Sequence, residues 1–219
     1  MINDAERPLI QDSFSLKNTK KVDVKRLNSI GPILGKEAAI KSIISILIVI
    51  FCIIIFITFA FRKVSEPVSS WKYGFIAIIA LLHDVMIPTG VFAVLGHYFG
   101  YEVDTLFVTA LLVVLGFSIH DTIVVFDRVR ENLNLARGYR EKKEFDKMVG
   151  ESISQTFTRS INTSLTTILA LVALYIFGAE STRHFSLALI IGITVGTYSS
   201  IFIGSPLLVT FEKWQSRKR

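Results

Sequence analysis

Cysteine is almost absent from this chain, and so are the residue patterns of enzymes. The single cysteine, Cys52, excludes an intrachain disulfide. No set of Cys, His and carboxylate residues has the spacing of metal ligands. The sequence has no nucleophile–base set, phosphate loop or nucleotide motif. We therefore predict a protein that is not an enzyme, has no metal or cofactor, and draws energy from an ion gradient or from a partner.

Apolar residues are abundant: they make up 51% of the 219 residues, and the mean hydropathy is +0.53. They occur in blocks of about 20 residues, the length that a helix needs to cross about 30 Å of hydrocarbon. This pattern predicts an all-α polytopic membrane protein with five transmembrane helices. The predicted spans are residues 43–61, 73–97, 104–126, 158–177 and 185–211.

The net charge of +6 comes from an excess of Lys and Arg. In a multispanning protein such an excess indicates cytoplasmic loops that attract anionic lipid, rather than a nucleic-acid site. Basic residues are concentrated in residues 62–72, in residues 127–157 and in the C-terminal tail, whereas the two other loops hold only Arg183. The positive-inside rule therefore places residues 62–72, the loop 127–157 and the C-terminus in the cytoplasm.

Five spans with a cytoplasmic C-terminus would place the N-terminus on the other side of the membrane. Residues 1–40 are polar and basic, and no cleavable signal peptide would export them. We therefore expect an upstream helix to be missing. On this interpretation, residues 1–40 are the short extracytoplasmic remnant of a domain and its connector, and residues 41–219 form the transmembrane domain.

Asp121 lies inside the third apolar span, with His120 beside it. An ionisable side chain at the centre of a membrane helix costs about 2.5–3.5 kcal/mol on insertion scales, so it is usually functional or paired within the protein. Asp121 precedes Asp127, at the end of the span, by six residues, which corresponds to a depth of about 9 Å. These positions make Asp121 a candidate proton-binding group and His120 a candidate neighbour that shares its proton.

A polar stripe follows one face of the fourth span. Its members recur at helical spacing: Arg159, Asn162, Thr163, Thr166 and Thr167. The threonines fit a packing face whose hydroxyls bond backbone carbonyls. Arg159 either extends to the cytoplasmic interface or pairs with Asp121, which can lie at a comparable depth on a neighbouring helix.

His83 and Asp84 form a second ionisable pair near the middle of the second span. They are either part of a secondary proton relay or a hydrogen-bonded packing pair. In the fifth span, small residues recur every four positions, a pattern that lets another helix approach closely. These candidate packing residues are Gly192, Gly196 and Ser200, followed by Gly204.

The segment Gly116–Asn132 resembles the most characteristic stretch of the SecF family, the smaller membrane subunits of the bacterial SecDF protein-export complex. Residues 159–167 are similar to the next helix of that family, and Gly192 with residues 196–200 is similar to its last helix. Residues 82–85 and 29–32 also resemble family positions. The resemblance covers about residues 29–211.

The resemblance implies an RND-type bundle in the bacterial inner membrane that uses the proton-motive force to assist protein translocation. Asp121 would be the carboxylate of the proton path, with Arg159 as its partner. The implied partners are SecD, the SecYEG translocon, YajC and YidC, secreted preproteins and anionic lipid.

Two features depart from the family pattern. The first helix and most of the extracytoplasmic domain have no counterpart in this sequence, and His120 stands where the family often has Asn. Two alternatives therefore remain: a structural scaffold subunit of the translocase without proton conduction, and half of an RND-type exporter.

Overall fold

The computed structural model describes residues 32–60, 70–101, 103–138 and 144–217. All regular elements in these ranges are helical. They are α1 (Pro32–Ala60), α2 (Ser70–Phe99), α3 (Thr105–Gly138), α4 (Phe145–Phe177), α5 (Glu180–Ser199), a π-helical segment (Ser200–Gly204) and α6 (Ser205–Ser216). Five stretches are long and apolar enough to cross a membrane. The predicted all-α fold with five such helices is confirmed. Of the predicted remnant and connector in residues 1–40, residues 1–31 lie outside the described residues and residues 32–40 belong to α1.

The helices extend well beyond the apolar spans. α3 continues past Phe126 to Gly138, and α4 already begins at Phe145. Hydropathy detects only the part of a helix that matches the membrane, whereas charged helix formers continue the same helix into water. The predicted loop 127–157 is therefore largely helical, apart from residues 139–143, which are not described.

Side-chain hydrogen bonds join these extensions of α3 and α4. Arg128 Nε donates to Gln155 Oε1 at 2.5 Å, and Arg128 also pairs with Glu131 on its own helix. Asn132 Nδ2 donates to Ser152 Oγ at 2.8 Å and to Gln155 Oε1 at 3.0 Å. These bonds hold the charged ends of α3 and α4 next to each other.

Contacts divide the chain into two compact units, Met1–Ser45 and Ile46–Arg219, and the division falls within α1. In the described part of the first unit, Lys41 pairs with Glu37 one helical turn away. In the second unit, the remainder of α1 packs against α2. Ile57 is fully buried there, and a Cβ added at Gly74 would lie 3.4 Å from the Thr58 hydroxyl.

An irregular turn separates α5 from α6. The helix widens into a π-helical segment at Ser200–Gly204, which ends two residues before Pro206. Pro206 has no amide hydrogen, so it cannot donate to the carbonyl of Phe202, four residues earlier. The Ser205 hydroxyl donates to the Ser200 carbonyl at 3.0 Å. The backbone hydrogen bonding is therefore irregular where α5 passes into α6.

α5 is central to the second unit, because it packs against α2, α3 and α4. Its small residues lie against α3. A Cβ added at Gly192 would meet Val114 Cγ2 at 2.2 Å, and one added at Gly196 would meet Ser118 Cβ at 3.0 Å. Glycine at these two positions therefore lets the α3 and α5 backbones approach closely.

We expect Gly192→Ala to lower the thermal unfolding midpoint of the protein in lipid nanodiscs. The added methyl group would overlap Val114, whose branched side chain is stiff, and overpacking of this kind costs about 1–3 kcal/mol. Gly116→Ala is the matched control, because a Cβ there meets no atom within 4 Å. The Gly192→Ala, Val114→Ala double variant should regain part of the loss. An unchanged midpoint for Gly192→Ala would contradict this packing.

Candidate functional site

Asp121 of α3 is buried, with 4% of its surface exposed. The Ser160 hydroxyl on α4 donates to Asp121 Oδ1 at 2.7 Å. The Ser200 hydroxyl, at the start of the π-helical segment, donates to Oδ2 at 3.2 Å. Hydroxyl groups from two other helical elements thus hold one carboxyl group in the bundle.

The expected ion pair between Asp121 and Arg159 is not present. Arg159 is exposed, and none of the ion pairs among the described residues involves it. A step of one residue turns an α-helix by about 100°, so the next residue, Ser160, faces Asp121 instead. For the same reason His120 is exposed on α3 although Asp121 is buried. Arg159 therefore points away from the carboxyl group although it is next to Ser160 in the sequence. His120 points away from it although it is next to Asp121.

α4 carries two polar faces rather than one. The predicted stripe is exposed at Arg159, Asn162, Thr163 and Thr166 and half-buried at Thr167. Thr166 and Thr167 donate to backbone carbonyls of their own helix, as expected for membrane threonines. The face that packs inside the protein is a second run of hydroxyl residues, spaced by four: Ser152, Thr156, Ser160 and Ser164. This second run is visible in the sequence as hydroxyl residues at a spacing of four, but it was not predicted.

Asp84 of α2 is fully buried and forms a second carboxyl site. The Ser199 hydroxyl on α5 donates to Asp84 Oδ2 at 2.7 Å, and the Ser118 hydroxyl on α3 donates to the same oxygen. On the other side, His83 Nδ1 lies 3.0 Å from Asp84 Oδ1. The structure therefore brings His83 and Asp84 together as predicted. Neither Ser118 nor Ser199 was predicted to contact Asp84, although Ser118 lies one turn before Asp121 on the same helix.

Two apolar clusters pack around the two carboxyl sites and the hydroxyl residues that contact them, a group that we call the polar layer. One cluster includes Phe126 and Leu208, and the other includes Phe92 and Leu189. The polar layer also contains a contact of 2.5 Å between the hydroxyls of Ser164 and Thr197. The buried polar groups of this layer are satisfied by one another and by backbone carbonyls, as buried polar groups in proteins usually are.

The chain is similar to proteins of bacterial protein export. The family model of the protein export membrane protein SecD/SecF, C-terminal, matches residues 11–214. The protein translocase subunit SecF of Thermobaculum terrenum is 55% identical over 84% of this chain and 56% of its own length. The SecF subunit of Anaerolinea thermophila is 42% identical over 99% of this chain and 68% of its own length.

A solved structure has the same fold. The crystal structure of SecDF in a super-membrane-facing form matches with a TM-score of 0.74 and 33% sequence identity, over 99% of this chain and 27% of that chain. The chain thus spans roughly half to two thirds of the length of the SecF relatives given above. Because the family match covers most of the chain and the fold agrees with it, this multi-pass membrane protein belongs to the SecF family.

Proposed function

We propose that this chain is a SecF-type subunit that works with SecD and uses the proton-motive force to assist protein translocation through SecYEG. The observation that supports this most is the buried carboxyl group of Asp121, held by hydroxyls of α4 and of the π-helical segment. Family membership supplies the biological setting, since the relatives are named protein translocase subunits.

Proton exchange at Asp121 would change how three helical elements interact. An ionised carboxylate only accepts hydrogen bonds, whereas a protonated carboxyl group also donates one. Ser160 and Ser200 would therefore change their hydrogen bonds when Asp121 gains or loses its proton. In the low dielectric of the bundle such changes are strong. Proton passage would in this way move α4 and the π-helical segment relative to α3.

The exposed polar face of α4 favours a partner within the membrane. Asn162, Thr163 and Thr166 present polar groups away from the rest of this chain, and polar residues in membrane helices usually face other helices or water. We assign this face to SecD, because the solved relative is named SecDF. Arg159 and His120, which are exposed in this chain, would then lie at or near the subunit interface. From there they would act on the proton path at Asp121.

The surrounding partners and the orientation follow from the same assignment. The C-terminus would be cytoplasmic in the bacterial inner membrane, as the basic loops indicate. YajC, YidC, secreted preproteins and anionic lipid would contact the assembled complex. The alternative with support in the geometry is a scaffold role, since hydroxyl contacts at Asp121 also lock α3, α4 and the π-helical segment together without any proton movement.

We expect Asp121→Asn to abolish the stimulation of protein export by the proton-motive force in the complete complex. Asn preserves the size of the side chain but cannot exchange a proton. The measurement is the rate of preprotein translocation into inverted membrane vesicles, with and without a proton gradient. Asp104→Asn, directly before α3, is the matched control, because Asp104 is exposed and Asn can still accept the capping bond from the Phe107 amide.

Wild-type stimulation in the Asp121→Asn complex would overturn the proton-driven function. Proton-flux recordings on reconstituted complexes distinguish the proton-driven function from the scaffold alternative. That alternative predicts no flux in the wild-type complex and a loss of complex stability in the variant.

We expect a photo-crosslinking amino acid at Thr166 to react with SecD in membranes, because Thr166 lies on the exposed polar face of α4. Leu165 is the control on the same helix: it is also exposed, but it lies about 100° around the helix, where it borders an apolar groove. The measurement is the yield of a crosslinked band that reacts with antibodies to SecD. Equal yields at both positions would argue against this assignment of the interface.

A further inference from the structure

The two buried carboxyl groups are close neighbours in the bundle. Ser118, which donates to Asp84, precedes Asp121 by three residues on α3, a rise of about 4.5 Å along the helix. On the other side, the consecutive residues Ser199 and Ser200 each donate to a different carboxyl group, Ser199 to Asp84 and Ser200 to Asp121. The dipeptide Ser199–Ser200, where α5 passes into the π-helical segment, therefore contacts both acids.

Each of these two serines has a choice of acceptor. Ser199 Oγ lies 2.7 Å from Asp84 Oδ2 and 3.1 Å from the Gly196 carbonyl. Ser200 Oγ lies 3.2 Å from Asp121 Oδ2 and 3.1 Å from the Thr197 carbonyl. A hydroxyl group has one hydrogen to donate and can also accept.

The choice of acceptor allows both protonation states of each acid. When the carboxylate is ionised, the serine donates to it. When the carboxyl group is protonated, its O–H can donate to the serine oxygen, and the serine hydroxyl turns to the backbone carbonyl. Neither state leaves the carboxyl group or the serine without a partner, so the usual cost of an unsatisfied buried polar group is avoided in both.

The backbone is irregular at this level in both α2 and α5. Pro88 lies inside α2 and cannot donate to the Asp84 carbonyl, four residues earlier. The π-helical segment starts at Ser200, and such segments inside α-helices occur frequently at functional sites. A rearrangement of hydrogen bonds at either acid would therefore take place where the helices are already interrupted.

His83 connects Asp84 to the surface. Its side chain is 29% exposed, and its Nδ1 lies 3.0 Å from the fully buried Asp84. The other charged groups near this level are Asp121 and the exposed His120 on α3, and the exposed Arg159 on α4. Among the described residues, α5 and the π-helical segment contribute only serine hydroxyls to the two carboxyl groups.

We propose that Asp84 is a second proton-binding carboxyl group, loaded through His83 and coupled to Asp121 through Ser199 and Ser200. In the loading step the His83 imidazolium gives its Nδ1 proton to the Asp84 carboxylate, which produces a neutral imidazole and a neutral carboxylic acid. The imidazole then regains a proton from hydronium in the aqueous phase, which leaves a water molecule. The proposal rests on the proposed function only in taking Asp121 as an exchanging group.

The test is infrared difference spectroscopy of the complete complex in lipid bilayers, titrated over the pH range in which it stays folded. Protonated carboxyl groups give separate C=O bands. Asp84→Asn should remove one band and move the midpoint of the band that Asp121→Asn removes by about one pH unit or more, as for coupled sites. If Asp84→Asn removes no band at any pH, Asp84 does not bind a proton and the proposal is wrong.

Serine variants test the coupling and keep both acids in place. Ser199→Ala and Ser200→Ala should each move the midpoints of both carboxyl bands. Ser186→Ala is the matched control, because Ser186 is also a buried serine of α5 but donates only to the Thr182 carbonyl. If Ser199→Ala and Ser200→Ala leave both midpoints unchanged, as Ser186→Ala should, the proposed coupling is wrong.

The spectra and the export assay can fail separately. If the Asp84 band titrates but Asp121→Asn does not change the stimulation of export by the proton-motive force, the second proton site stands and the proposed function is overturned. If export depends on the proton-motive force as proposed but no Asp84 band is found, the proposed function stands and the second proton site is overturned.

Discussion

Polar groups in the middle of this bundle must find their partners within the protein, because hydrocarbon offers none. Asp84 and Asp121 meet this requirement almost entirely with serine hydroxyls, and His83 is the single titratable side chain that contacts either of them among the described residues. Each acid joins its own helix to two others. The positions of α2, α3, α4 and α5 in the second unit therefore depend on keeping both carboxyl groups satisfied.

Close packing makes this arrangement possible. A serine side chain is short, so its hydroxyl reaches a carboxyl group on another helix only where the backbones are near each other. Gly192 and Gly196 allow that approach of α5 to α3. One turn further along the helix, Ser199 and Ser200 reach the two acids. The small residues of α5 thus serve the polar layer as well as the packing of the bundle.

α4 connects the polar layer to the outside of the subunit. Its inner hydroxyl run reaches Asp121 through Ser160, and its outer face presents Arg159 and the polar residues that follow it. On the proposed assignment, this outer face contacts SecD. A change in the hydrogen bonds of Asp121 would then displace α4 and so alter the subunit interface directly, without a long chain of intermediate contacts.

The amino-acid sequence by itself determined the five apolar helices and the buried acid in the third, because length and hydropathy decide whether a segment enters a membrane. It also indicated the His83–Asp84 contact. Only the tertiary structure decided that Ser160, rather than Arg159, faces Asp121. Adjacent residues differ by about 100° around a helix, and both faces of α4 carry polar residues. The rotation of α4 about its own axis is set by its packing against α3 and α5. The periodicity of residues along a single helix does not determine that packing.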